Sequence, residues 1–271
     1  MEMNEQQEGE VSEKVAEKKM KCVWLKKEAV STDALLIGLS VIFGALIIAL
    51  TLSLPQMNSG KVVDAKKAAV VDEEQAAPTG PVTTTIDDDA VMGDKTKAKV
   101  AIVEFSDLEC PFCKRFHQET YNQLVKEYVE SGKAILVARD FPLSFHDPKA
   151  TEEASVAECV RDQKDDAAYF AFTKEIYANT AANGKGLAQG KMLELLKKTG
   201  VDTAKALACS ELEATKQEIA KDIADGTKAG VSGTPSFLIG TLAEDGSVTG
   251  ELVVGALPLT GFQEVVNKYL E

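Results

Sequence analysis

Histidine occurs only twice in the chain, at His117 and His146, cysteine five times and tryptophan once. Each scarcity narrows the chemistry. Zinc sites commonly take four ligands, as two C-x-x-C pairs or one such pair with histidines. A single C-x-x-C is present, Cys110 and Cys113, and no second pair exists to complete such a site. Five cysteines are also too few for a fold held together chiefly by disulfides, so each needs its own explanation. A surplus of positive charge is missing too. The 43 acidic residues outnumber the 30 basic ones, and the formal charge of −13 argues against a nucleic-acid partner. No internal repeat is visible.

A long apolar run is present. Residues 34–54, ALLIGLSVIFGALIIALTLSL, are 21 consecutive uncharged positions, close to the ~20 that a helix needs to cross a bilayer. The run is longer than the apolar core of a cleaved signal peptide, about 7–15 residues. It is preceded by 33 residues, and no clear small-x-small cleavage site follows it. This pattern predicts an uncleaved, single-pass transmembrane anchor. Lys18, Lys19, Lys21, Lys26 and Lys27 crowd its N-terminal side, against Lys61, Lys66 and Lys67 on the other. That bias predicts a cytoplasmic N-terminus and a C-terminal domain outside the cytoplasm, where disulfides persist. Residues 1–33 then read as a solvated cytoplasmic tail, with Cys22 an unmodified thiol. Residues 55–95, rich in Pro, Gly, Thr and acids and without an apolar period, read as a flexible linker. Within it, the run Asp87-Asp88-Asp89 reads as simply solvated.

Residues 96–271 read as one α/β domain. VAIVEFSD is a short, bounded apolar strand ending before Glu109, and CKRFHQETYNQLVKEYVESG has apolar residues near helical spacing with Gly132 as its stop. AILVARDF is a second strand, so strand, helix and strand form a βαβ unit with parallel strands. Asp147-Pro148, an N-cap with proline at the first helical position, opens a helical block over about 147–229. Tyr169, Phe170 and Phe172 read as its core, or as part of a groove near Cys110. Two further strands and an amphipathic helix over 260–270 close the chain.

Two cysteines at this spacing hold a metal, close a structural disulfide or exchange electrons. Their context favours the last. A strand ending just before Cys110 puts it at a helix N-terminus, where unpaired N–H groups and the helix dipole stabilise a thiolate. Cys113 lies one turn in and is expected to be more covered, which suits an exposed attacking thiolate with a covered resolving partner. His117, one turn beyond Cys113, reads as a surface residue and His146 as a structural one. Glu109 should raise the Cys110 pKa, and Lys114 and Arg115 should lower it.

VEFSDLECPFCKRF and, far downstream, GVSGTPSFLIG resemble the two signature segments of DsbA-like thiol-disulfide oxidoreductases of the thioredoxin superfamily. The stretch RDFPLSFHDPKATEEASVAECVRDQ resembles the branch with a helical domain inserted in the thioredoxin core. The resemblance covers about residues 99–271. It implies a thioredoxin fold (βαβ…ββα) with an inserted helical domain, here preceded by one transmembrane helix. It implies Cys110 as nucleophile, Cys113 as resolving partner and Glu104 as a buried acid that exchanges a proton with Cys113. It implies a cis peptide bond at Thr234-Pro235, with Thr234, Pro235, Pro111 and Phe112 along the substrate-binding surface. Cys159 and Cys209 resemble a second disulfide carried by this branch; two buried free thiols are the alternative. Closing that loop would stabilise the domain by roughly 3–4 kcal/mol in the chain-entropy model. The implied partners are exported proteins with free thiols and a membrane quinone-linked reoxidase, with no metal or organic cofactor. Strongly oxidising members often carry histidine where Phe112 stands, so a reductase or isomerase of the same fold remains an alternative, as does a non-enzymatic peptide-binding module.

Overall fold

The computed structural model describes residues 80–271. The expected tail (1–33), anchor (34–54) and residues 55–79 of the linker lie outside the described residues. Among the described residues, no helix is long and apolar enough to cross a membrane.

Strand β3 (Val100–Ser106) and strand β4 (Ala134–Asp140) pair in parallel, with Val100 opposite Ala134 and Ser106 opposite Asp140. Between them run helix α1 (Pro111–Glu119) and α2 (Tyr121–Leu124), which continues into a π-helical turn over Val125–Val129. The single helix expected here is broken at Thr120, whose hydroxyl donates to the Leu257 carbonyl at 3.0 Å. Strands β5 (Ser236–Leu242) and β6 (Ser247–Val254) add antiparallel neighbours on the other side of β3, and helix α8 (Leu259–Leu270) closes the chain.

The sheet contains two more strands than expected. β1 (Val82–Thr85) pairs with β6 and β2 (Ala90–Met92) with β4, giving the order β1-β6-β5-β3-β4-β2. The linker expected to reach residue 95 therefore gives way to folded sheet by Val82. With four and three residues, these strands are too short to show a period of two. The Asp87-Asp88-Asp89 run between them, expected to be solvated, is engaged. The buried guanidinium of Arg139 on β4 donates to Asp89 at 2.8 Å, Asp87 at 3.1 Å and Asp225 at 2.8 Å. A buried guanidinium needs such partners, and they tie both edges of the fold to the centre.

The helical block consists of α3 (Lys149–Gln163), α4 (Asp166–Asn179), α5 (Lys191–Thr199), α6 (Thr203–Ser210) and α7 (Glu213–Lys228). α3 starts one position later than expected, with Pro148 rather than Asp147 as N-cap. The Asp147 carboxylate still accepts from the Thr151 N–H at 3.2 Å. Tyr169, Phe170 and Phe172 are buried in the main core.

Alternation along β3 splits its side chains between two cores. Val100 and Ile102 join the cluster with Phe116, Phe172 and Phe262, whereas Ala101, Val103 and Phe105 pack with Phe141, Val231 and Leu238. Each such fully buried aliphatic or aromatic side chain contributes about 1.5–3 kcal/mol. By the same alternation, Glu104 and Ser106 fall on the Val100 face, toward α1.

Candidate active site

Four residues, Asp107 to Cys110, turn the chain from β3 into α1. Cys110 donates its N–H to the Asp107 carbonyl at 3.0 Å, and the Asp107 carboxylate accepts from the Glu109 N–H at 2.7 Å. Its other oxygen accepts from the Leu143 N–H at 2.9 Å and faces His146 Nδ1 at 2.7 Å, so Asp107 braces this turn against the loop after β4. Cys110 is the N-cap of α1, in extended backbone, and Pro111 fills the first helical turn without needing an N–H partner.

The Cys110 thiol donates to the Thr234 carbonyl at 3.3 Å, and Thr234-Pro235 is a cis peptide. Its pKa falls to about 6. A hydrogen bond from the Cys113 thiol is the largest cause, and Thr234 and the N–H groups of Cys113 and Phe112 add to it. Burial opposes them. Cys113 moves the other way, well above its ordinary value, through burial first and the neighbouring Cys110 second. Both sulfurs are free thiols. Cys110, expected to be exposed, is only 3 % accessible and Cys113 0 %; hydrogen bonds draw the first sulfur down and burial pushes the second up. Phe112 between them is 54 % exposed, with the Arg115 guanidinium 5.2 Å from its ring centroid.

Glu104 is buried, and its Oε1 lies 2.9 Å from His117 Nε2. His117 is buried too, contrary to the surface position expected of it. It is stacked between the rings of Tyr121 and Tyr177, with centroids 4.5 and 4.0 Å away. The reason is helical spacing: four residues after Cys113, it falls on the same inward face of α1. Glu109 does not turn toward Cys110. Its carboxylate accepts from the Gly186 N–H at 2.8 Å and from the Thr180 hydroxyl, in the loop after α4. Lys114 donates to the Thr180 carbonyl at 2.6 Å, so it too is committed to that loop.

Cys159 and Cys209 form a disulfide between α3 and α6, with Cα atoms 5.9 Å apart. Sequence reasoning missed Asp107, Ser106 and Tyr177 at the site. Strand alternation from Glu104 would have found Ser106, whereas Tyr177 arrives from the insertion with no local signal.

The family described as Thioredoxin matches residues 85–257. The probable disulfide bond formation protein D of Bacillus cereus is 28% identical over 153 residues, covering 55% of this chain and 69% of that protein. Among solved structures, Pseudomonas aeruginosa DsbA2 is similar with a TM-score of 0.55 at 28% identity, over 68% of this chain and 96% of that one. BdbD from Bacillus subtilis, in its oxidised form, has a TM-score of 0.59 over 70% of this chain and 98% of that one; at 18% identity it bears on the fold alone. The chain belongs to the thioredoxin family, as a DsbA-like thiol-disulfide oxidoreductase.

Proposed function

We propose that this oxidoreductase forms disulfides in exported proteins, from the outer side of the cell membrane, held there by a helix over residues 34–54. The observation that carries the reading is the Cys110 sulfur at the N-terminus of α1, with its pKa drawn down to about 6 beside a buried Cys113. The 21-residue uncharged run and the lysines before it support the anchor and its orientation.

In the oxidised enzyme, a substrate thiolate attacks Cys110 Sγ. The Cys110–Cys113 bond breaks, its electron pair passes to Cys113, and a mixed disulfide joins substrate to Cys110. A second substrate thiolate attacks the substrate sulfur of that bond, the substrate disulfide forms, and Cys110 leaves as a thiolate. A thiolate of low pKa leaves readily. Glu104, hydrogen-bonded to His117 beneath the pair, exchanges the proton that Cys113 gains and later loses. The strand-like backbone of a substrate lies along Thr234 and Pro235, against Pro111 and the exposed ring of Phe112. Val254, 52 % exposed and paired with Ser236 next to Pro235, extends the apolar surface beside it. A membrane quinone-linked partner takes the two electrons and restores the disulfide. The chemistry needs no metal or organic cofactor.

The test is a Cys113→Ser variant of the full chain. Substrates should accumulate as adducts on denaturing non-reducing gels, disappear with dithiothreitol, and be absent from Cys110→Ser. A Cys113→Ser variant without adducts removes the reading.

A further inference from the structure

Two hydroxyl groups beside Cys113 have no part in the steps above. Ser106 follows Glu104 on the same face of β3, and its Oγ lies 2.6 Å from the Tyr177 Oη. The Asp107 N–H and the Ser106 hydroxyl pull the Cys113 pKa down against its burial, and Tyr177 is close enough to feel that sulfur's charge. Tyr177 is carried by α4, in the helical insertion, and is 2 % accessible.

A serine hydroxyl has one proton to donate. If Ser106 gives it to Tyr177, none remains for the sulfur. If Ser106 accepts from the Tyr177 phenol, its own proton is free for Cys113. The phenol is suited to that donor role, because burial keeps it protonated far above the ordinary tyrosine range. The demand arises when the Cys110–Cys113 bond breaks. The electron pair then sits on Cys113 in a site with 0 % accessibility, where water cannot solvate it. A donor already oriented there is worth more than the same donor in water.

We propose that Ser106 is a catalytic residue of the exchange, its hydroxyl hydrogen-bonding the Cys113 sulfur as the disulfide breaks, and that Tyr177 is the positioning residue that keeps the Ser106 proton aimed there. The proposal rests on Cys110–Cys113 being the redox pair. It gives the helical insertion a direct part in the chemistry of the thioredoxin core.

Stopped-flow reduction of the oxidised full chain by dithiothreitol reads this step without any protein substrate. The attacking thiolate forms a mixed disulfide with Cys110 and expels Cys113. The second thiol of the reagent then releases Cys110 and leaves oxidised dithiothreitol. Ser106→Ala and Tyr177→Phe should each slow reduction about tenfold or more, the size expected for a lost hydrogen bond to a charged group. Ser106→Thr, which keeps the hydroxyl, should restore most of the rate. The double variant should be no slower than Ser106→Ala alone, because Tyr177 acts through Ser106. The equilibrium constant with dithiothreitol should move much less than the rate, since Cys113 ends as a thiol. An unchanged rate in Ser106→Ala overturns the proposal, as do multiplying effects in the double variant or a rate and equilibrium constant that fall together. Should Ser106→Ala fail to fold, Tyr177→Phe, which loses one oxygen, carries the test: an unchanged rate there is equally fatal. A wild-type chain that dithiothreitol cannot reduce removes the redox reading itself, and this inference with it.

Discussion

The domain holds two cysteine pairs whose partners come close together, and they are built for opposite ends. Burial does not distinguish them, since Cys113 and Cys159 are both 0 % accessible. The difference lies in where each sulfur sits along a helix. Cys110 caps the N-terminus of α1, facing N–H groups with no intrahelical partner. Cys159 lies well inside α3, where the N–H groups are taken, and Cys209 lies in the last turn of α6, where the helix dipole disfavours a thiolate. Beside that second pair lies the neutral Thr215 hydroxyl, 3.9 Å from one sulfur and 3.8 Å from the other. One pair is arranged to lower the cost of a thiolate, the other to close a loop.

The largest effect that separates the pairs is reactivity. When the chain is reduced at Cys110 and Cys113, iodoacetamide should alkylate Cys110 alone among the four cysteines of the folded domain, with half-maximal rate near pH 6 and a tenfold fall per pH unit below it. A depressed folded pKa also carries a stability consequence. The thiolate contribution to the reduced form is fully present above the ordinary value of 9.0, declines as the pH falls, and is gone below about 6. Mass spectrometry of the alkylated peptides checks the site. A rate profile centred near 9 would erase the contrast.

Stability should respond in the reverse sense. Replacing Cys159 and Cys209 by alanine should cost about 3–4 kcal/mol in urea unfolding, the entropy of a 50-residue loop. The rate at which dithiothreitol reduces Cys110–Cys113 should not change. A parallel loss of exchange would show that the two pairs are not independent.

The smallest effect concerns a carboxyl between the two regions. Glu153 on α3 is pushed up to about 8 by burial and then by the charge of Glu109, the residue before Cys110. Its folded pKa lies above the unfolded 4.5, so its contribution is fully present below 4.5 and is lost as the pH rises through 8. Glu153→Gln should leave stability at pH 4.5 nearly unchanged and flatten the decline toward pH 8.5, a difference on the order of 1 kcal/mol. Equal declines in the variant and the wild type, measured by urea midpoints, would clear Glu153 of the effect.

The βαβ and ββα segments were legible in the sequence because each element there is long enough to show its period. β1 and β2 were not, being four and three residues flanking an acidic run. That run made sense only once Arg139, on a strand distant in sequence, came to face it. Glu104 was legible as a candidate because strand alternation leaves just two faces for it. His117 was misjudged because a histidine in a polar helical stretch looks solvated until two tyrosines close over it.

By itself, the sequence determined the cysteine spacing, the strand that ends before Cys110 and the proline that starts the helix after it. These set thiolate chemistry within a single turn, where every interacting group is a near neighbour along the chain. Tertiary structure alone decided which distant groups complete the site. Thr234 reaches Cys110 across 124 residues and Tyr177 reaches Ser106 across 71. A hydrogen bond depends on the final positions of both partners to within a few tenths of an ångström, and only the packed core supplies that precision.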